Sequence, residues 1–430
     1  MTFPRPVVPL ARPPECVVEL PGSKSITNRA LLIAALAEGE STLRRVLFSD
    51  DTEAMLGVLD ALGIPTAVDR AAAEVVVSGT GGRLHPGPVA IDARSAGTVA
   101  RFVPPVLLLG SGPYVVDGTE QLRRRPLGDL LVALRDLGAR VEDPSGLGAL
   151  PLTIHGCGGS GLGAMVDIAA DVSSQFVSAL MQVGPLLPAG LRLRLTTDAV
   201  SRPYLDMTAA VMAAFGATAT VTARAVVVAP GRYGATSYTI EPDASAASYF
   251  FGAAATTGGR VRVQGLGRSA LQGDVGFVDV LERMGAEVSS GEDWTEVRGP
   301  APGQLRGVDV DLADISDTAP TLAAVAALAS GPSRLRGIGF IRNKESDRIG
   351  DVVGELCRLG VDAVEEDDGM TIRPERSRLH GGVVDPHGDH RLAMSFAVLG
   401  LSADGISIDD PACVEKTFPQ FWDVLEELRR

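Results

Sequence analysis

ALGIPTAV at residues 61–68, DLGARVED at 136–143, AFGATATV at 214–221, RMGAEVSS at 283–290 and RLGVDAVE at 358–365 repeat one phrase: a helix end, an apolar residue, a glycine, then a strand. The phrase returns roughly every 75 residues, the signature of a supersecondary unit repeated along the chain. Glycine suits the junction because it takes the left-handed conformation that closes a helix without a Cβ penalty. A sixth helix, TFPQFWDVLEELRR at 417–430, stops where its glycine and strand are due. A strand without a helix, ECVVELPG at 15–22, is expected to complete that last unit.

Between these amphipathic helices lie six more apolar segments: SKSITNRALLIAALAEG from Ser23, AGTVARFVPPVLLLGSG from Ala96, SSQFVSALMQVGPLLPAG from Ser173, ASAASYFFGAAATTGG from Ala244, SDTAPTLAAVAALASG from Ser316 and GDHRLAMSFAVLGLSADG from Gly388. Each ends in glycine and runs into a β-rich stretch, the mark of a buried helix followed by a strand. The unit is therefore strand, buried helix, strand, amphipathic helix, strands, and the fold class is α/β. Six copies fit two domains of three, with the chain crossing near LPGSKS and again near IEPDASAAS. One domain is then 23–240, and the other joins 1–22 to 241–430.

A chain of 430 residues exceeds what one hydrophobic core usually holds. The net charge of −14 argues against a nucleic-acid partner, which calls for a basic patch. Cys16, Cys157, Cys357 and Cys413 stand far apart with no C-x-x-C pair, as expected of reduced thiols in the cytoplasm. No apolar run has the length of a membrane span, and prolines break the N-terminal stretch where a signal peptide needs continuity. Monomer is the default expectation, since neither a long apolar patch nor a heptad repeat is evident.

Chemistry concentrates at the expected helix starts GSKSITNR, SAGTVAR, RRRPLGD, DVSSQF, SRPYLD, SDTAP, KESDR, GDHR and EKTFP. A helix N-terminus offers unpaired N–H groups and the positive end of the dipole, and nearby Arg or Lys turns it into an anion site. Ordinary capping accounts for Ser, Thr, Asp and Pro at any one start. The cations are harder to assign to capping: the only three lysines, Lys24, Lys344 and Lys416, all fall at these starts. Lysine, unlike arginine, readily shifts its proton affinity. Asp317, Glu345 and Asp389 lie beside cations, as proton carriers or as salt-bridge partners. No Gly-x-Ser-x-Gly elbow, H-E-x-x-H pair, P-loop or helix-opening G-x-G-x-x-G run is present.

LPGSKSITNRALLIAALAEG, SAGTVARF, RRRP, SSQFVSALM, SRPYLDMT, PDASAASYF, KESDR, GDHRLAMSF and KTFP, in this order from about Leu20 onward, resemble the 5-enolpyruvylshikimate-3-phosphate synthase family of enolpyruvyl transferases. The resemblance implies a two-domain inside-out α/β barrel of six βαβαββ repeats, three per domain, that closes on its substrates. It implies transfer of the enolpyruvyl group of phosphoenolpyruvate to the 5-hydroxyl of shikimate 3-phosphate, with no metal or organic cofactor. Carried over position by position, Lys24, Ser25, Arg29, Ser173, Ser174, Gln175, Ser201, Tyr204, Asp317 and Lys344 would hold shikimate 3-phosphate. Lys24, Gly97, Arg125, Gln175, Arg348, Arg391 and Lys416 would form a basic cage for phosphoenolpyruvate. Glu345 with Lys24 would protonate C3, and Asp317 would be the base at the hydroxyl. By the same resemblance 23–240 binds mainly shikimate 3-phosphate and the discontinuous domain completes the phosphoenolpyruvate site.

Three residues depart from the family pattern: Ser95 replaces the usual Asn of N-A-G-T, Phe102 stands where Pro often follows the Arg, and Phe340 replaces an Asn before the KE motif. Phe102 is expected to alter the space beside phosphoenolpyruvate and with it the sensitivity to glyphosate. Sister enzymes that use a UDP-linked sugar usually carry a reactive Cys or Asp on a loop before the Arg-Pro motif; DGTEQLRRRP contains no Cys. The alternative is a paralogous enolpyruvyl transferase acting on a different cyclitol phosphate or a UDP-sugar acceptor.

Overall fold

The computed structural model describes residues 3–430. The chain divides into two compact units, Gly22–Glu241 and the stretch up to Pro21 with Pro242–Arg430. Each unit is built on three buried helices: Lys24–Leu36, Gly97–Leu107 and Ser174–Val183 in the first, Ala244–Thr257, Ala319–Ala326 and His390–Gly400 in the second. These are the six apolar segments. Every residue from Ala244 to Thr257 is buried, as a helix apolar around its whole circumference must be. Gly252 lets the helices of its unit close up: a Cβ there would lie 3.1 Å from Val325 Cγ2, 3.3 Å from Thr321 Cγ2 and 3.6 Å from Val398 Cγ1.

The strands form six separate small sheets, five of four strands and one of three, rather than one closed barrel. In three of the four-stranded sheets the strand entering a buried helix runs parallel to the strand leaving it, and an antiparallel pair completes the sheet. Thus Val89–Asp92 lies parallel to Ser111–Asp117, which pairs antiparallel with Leu152–Cys157, itself antiparallel to Arg140–Glu142. The five glycines of the repeated phrase, Gly63, Gly138, Gly216, Gly285 and Gly360, have φ of 73, 96, 87, 108 and 85°, the left-handed region that favours glycine.

The expectation for the N-terminal strand is corrected. Glu15–Val18 does not complete the last unit; it runs parallel to Arg260–Gln264, the strand leaving the Ala244–Thr257 helix, and takes the sheet position of an entering strand there. The last sheet instead receives Arg5–Pro6, antiparallel to Ile406–Ile408. Likewise Ser237–Thr239 runs parallel to Glu38–Arg44, the strand leaving the Lys24–Leu36 helix, and takes the sheet position of an entering strand there. Each buried helix that follows a chain crossing therefore takes its parallel partner from a distant part of its own unit.

Two expected helix starts are also corrected. KESDR follows a 3-10 turn, Gly339–Asn343, and its helix begins only at Gly350. There the Asp347 carboxylate accepts from the backbone N–H groups of Ile349 and Gly350 at 3.1 and 3.0 Å and sets the boundary. KTFP follows the turn Pro411–Lys416, and its helix begins at Phe421, beyond Pro419. Of the three lysines, Lys24 alone begins an α-helix. Among the described residues no helix is long and apolar enough to cross a membrane.

Candidate active site

In the Gly22–Glu241 unit the organising side chain is Arg29, 1% exposed. Its Nε donates to Thr208 Oγ1 at 2.7 Å, Nη1 to the Ser25 carbonyl at 2.9 Å and Nη2 to Ser178 Oγ at 3.3 Å. The guanidinium carbon lies 4.9 Å from the Phe102 ring centroid and 5.8 Å from that of Tyr204. Among the described residues no carboxylate pairs with it. Burial accordingly lowers its pKa to about 10, with the Tyr204 phenol acting in the opposite sense.

Arg29, Ser178, Thr208 and Phe102 all lie in the second turns of their helices, so one buried cation ties together helices starting at Lys24, Gly97, Ser174 and Pro203. Asn28 Nδ2 donates to Thr98 Oγ1 at 2.8 Å, which joins two of the first turns directly. The N-termini of these four helices are therefore at one end of the unit, where their dipoles add. Gly97 starts its helix between two guanidinium groups: a Cβ there would stand 2.6 Å from Arg125 Nη1 and 2.8 Å from Arg101 Nη1. Lys24 Nζ is 3.4 Å from Asp51 Oδ2. Ser173 caps its helix by accepting from the Gln175 N–H at 3.3 Å, and Ser174 beside it is buried. Gln175 Oε1 is shielded and has no hydrogen-bond partner among the described residues. Ser201 has φ of 49°, a strained backbone for a non-glycine residue, and its carbonyl accepts the Tyr204 N–H.

The second unit gathers Asp317, Glu345, Arg348, Arg391 and Lys416 into one ion-pair network. Arg348 is 2% exposed. Its Nε donates to Asp389 Oδ2 at 2.7 Å, Nη1 to Asp317 Oδ1 at 3.0 Å and Nη2 to Glu345 Oε2 at 2.7 Å. Burial by itself would weaken its hold on the proton, but the charges of Asp389, Glu345 and Asp317 outweigh burial and raise its pKa. Lys416 Nζ lies 3.3 Å from the other Glu345 oxygen, and Arg391 Nη2 donates to Asp317 Oδ2 at 2.7 Å. The cations are thus not a bare cage, because buried charge has to be countered where it stands. Lys344 Nζ lies 5.7 Å from the Phe340 ring centroid. Asp389 caps its helix by accepting from the Arg391 N–H at 2.9 Å. Hydroxyls join the N-terminal turns here too: Ser248 Oγ is 3.1 Å from Thr321 Oγ1, which is 3.3 Å from Ser395 Oγ.

Residue-by-residue reading did not anticipate Asn28, Thr98, Ser178 and Thr208, nor Ser245 and Asp274 beside Arg391. The signal for all but Asp274, which lies in a short 3-10 turn, was a polar residue on the buried stripe of an otherwise apolar helix. Of the departures from the family pattern, Ser95 Oγ lies 3.0 Å from Thr119 Oγ1, whereas Phe102 meets Arg29.

The family model described as EPSP synthase (3-phosphoshikimate 1-carboxyvinyltransferase) matches residues 12–425. A relative from Trichormus variabilis named 3-phosphoshikimate 1-carboxyvinyltransferase is 45% identical over 415 residues, covering 96% of each chain. One of the same name from Thiobacillus denitrificans is 40% identical over 422 residues, again covering 96% of each. The solved EPSP synthase of Acinetobacter baumannii superposes with a TM-score of 0.83 at 25% identity, covering 99% of this chain and 98% of that one. The enolpyruvyl transferase NikO of Streptomyces tendae, at 17% identity and a TM-score of 0.79 over 100% of this chain and 98% of its own, shows the shared fold alone.

Proposed function

The chain belongs to the EPSP synthase family, and from that premise we propose how its own side chains carry the reaction. The protein is an enolpyruvyl transferase: the 5-hydroxyl of shikimate 3-phosphate displaces phosphate from C2 of phosphoenolpyruvate. The hydroxyl adds to C2 as C3 takes a proton, which gives a tetrahedral intermediate. Loss of phosphate and of a C3 proton restores the double bond in the product.

In the proposed division of labour the Gly22–Glu241 unit holds mainly shikimate 3-phosphate, through Lys24, Ser25, Arg29, Ser173, Ser174, Gln175, Ser201 and Tyr204. Arg29 carries this proposal. A buried cation with hydroxyl and aromatic partners, set where four helix N-termini gather, has an electrostatic need that an anionic substrate meets. Gly97 and Arg125 of this unit, with Lys24 and Gln175, are proposed to contact phosphoenolpyruvate. Arg348, Arg391 and Lys416 of the other unit are proposed to serve the same substrate, with Lys344 toward shikimate 3-phosphate.

Asp317 is the proposed base at the 5-hydroxyl; Arg348 and Arg391 grip its two oxygens and fix its direction. Glu345, with Lys24, is the proposed proton donor to C3. Since Arg348 and Lys416 engage both Glu345 oxygens, proton delivery requires one of those contacts to open. Fixed dipoles and cations then stabilise the charge leaving with phosphate.

We propose further that the protein acts in the cytoplasm as a monomer. Its four cysteines are unpaired, and its exposed large apolar residues include Phe3, Val68, Leu147 and Val383, widely separated in sequence. The decisive experiment is phosphate release from phosphoenolpyruvate with and without shikimate 3-phosphate. Release that depends on both substrates is expected; release indifferent to shikimate 3-phosphate, or turnover only with another cyclitol phosphate or a UDP-sugar, would overturn the assignment.

A further inference from the structure

Asp274 is a buried carboxyl that the proposed mechanism does not use. It lies in the short 3-10 turn Gly273–Gly276, and its Oδ2 accepts a hydrogen bond from the Ser245 hydroxyl, in the first turn of the Ala244–Thr257 helix. Ser245 Oγ is in turn 3.5 Å from Arg391 Nη2, the same nitrogen that donates to Asp317 Oδ2 at 2.7 Å. Asp274, Ser245, Arg391 and Asp317, from four separate elements, therefore stand in line. Gln272 anchors the turn: its Oε1 accepts from the Ala244 N–H at 3.0 Å and its Nε2 donates to the Pro242 carbonyl at 2.6 Å. The carboxyl is thus held against the helix start on which Ser245 sits.

We propose that Asp274 is a positioning residue for the transfer, acting through Ser245 to set the Arg391 guanidinium against Asp317. The inference rests on the reading above, in which Arg391 engages phosphoenolpyruvate and Asp317 receives the hydroxyl proton. The geometry makes the protonation of Asp274 matter. Ionised, it adds a negative charge behind Ser245, where it competes with an anionic substrate for Arg391 and opposes the charge of Asp317. Neutral, it keeps the hydrogen bond without that competition. The charged groups acting on it are Asp317 and Asp243, which disfavour ionisation, and Arg391, which favours it together with the Ser245 hydrogen bond. Burial is the largest influence, and the carboxyl is pushed up to about 7.

The test measures KM for each substrate and kcat from pH 5.5 to 9 for the full-length wild type, Asp274→Asn, Asp274→Ala and Ser245→Ala. In the wild type, KM for phosphoenolpyruvate is expected to climb about tenfold above neutrality, the scale of one added charge at short range. Asp274→Asn is expected to flatten that climb. Asp274→Ala and Ser245→Ala, which break the line, raise KM for phosphoenolpyruvate at every pH and leave that for shikimate 3-phosphate within about twofold, roughly the context scatter of such effects. Coincident pH profiles for wild type and Asp274→Asn, or an equal rise in both KM values, would overturn the proposal.

Melting temperature gives a readout independent of turnover. A carboxyl raised above its unfolded value holds a proton in the folded state that the unfolded chain has released. Wild-type stability relative to Asp274→Asn should therefore fall as pH rises from about 4 to 7 and level off beyond. A pH-independent difference counts against the proposal. A wild type without activity toward the two substrates, by contrast, defeats the functional reading and leaves this melting test standing.

Discussion

Arg29 and Phe102 show what a single contact decides. A fully buried guanidinium without a carboxylate partner is costly, and the Phe102 face at 4.9 Å is one of the few compensations within reach. The departure from the family pattern at Phe102 is expected to act beside phosphoenolpyruvate; its ring also faces the cation proposed to bind shikimate 3-phosphate. Phe102→Leu should therefore raise KM for shikimate 3-phosphate by up to about thirtyfold, the equivalent of about 2 kcal/mol for a desolvated cation–π contact. KM for phosphoenolpyruvate should change much less. Steady-state kinetics with each substrate varied in turn decides it, and a rise confined to phosphoenolpyruvate would contradict this reading. The glyphosate expectation is checked with Phe102→Pro, where an inhibition constant equal to that of the wild type would dismiss it.

Among secondary-structure elements, glycines serve two distinct purposes. Gly216 has φ of 87° and open space around its missing Cβ, so its value is conformational. Gly79 has ordinary dihedrals, but a Cβ there would lie 2.3 Å from the Ala34 carbonyl oxygen and 2.4 Å from that of Ala37. Its strand abuts the C-terminal turn of the Lys24–Leu36 helix. The same approach recurs at Gly156, 2.9 Å from the Leu107 oxygen, and at Gly299, 2.1 Å from that of Ala254. This second glycine of the repeat has no turn signature in the sequence, because Gly79 and Gly156 sit inside strands and Gly299 directly follows one. Gly216→Ala should cost about 1–2 kcal/mol, the price of a left-handed alanine. Gly79→Ala must push backbone from backbone and should cost more, at the upper end of the roughly 1–3 kcal/mol typical of overpacking. Thermal melts of the two variants rank them, and a smaller shift for Gly79→Ala would refute the close-approach argument.

In the molecule as a whole, each unit depends on a strand far away in sequence. Glu15–Val18 pairs with the strand leaving the Ala244–Thr257 helix, and Arg5–Pro6 with Ile406–Ile408. Ser237–Thr239 pairs within the Gly22–Glu241 unit. A chain lacking residues 1–20 should therefore lose amide protection at Arg260–Gln264 and Ile406–Ile408, while Ser41–Arg44 and Val75–Val77 keep theirs. Hydrogen exchange read by mass spectrometry makes the comparison within one sample. Equal loss in both units would show that the N-terminal strands stabilise more than their own sheets.

Read along the chain alone, the residues were enough to determine the repeat, the six buried helices, the left-handed glycine at each junction, the family and the chemistry it performs. The repeat, the helices and the glycines follow from periodicity and turn propensity, which are local properties that survive without coordinates; the family and its chemistry rest on the resemblance carried by the ordered motifs. Strand partnership was not legible, since strands of two to five residues carry too little pattern to specify a register, and the N-terminal strand was consequently assigned to the wrong sheet. Nor could the chain disclose that, among the described residues, no carboxylate pairs with Arg29 whereas Arg348 holds three. It did not reveal that Asp274 reaches Arg391 through Ser245. Those pairings join residues far apart in sequence, and only the packing of helices and sheets sets which polar groups share one low-dielectric space and must answer one another's charge.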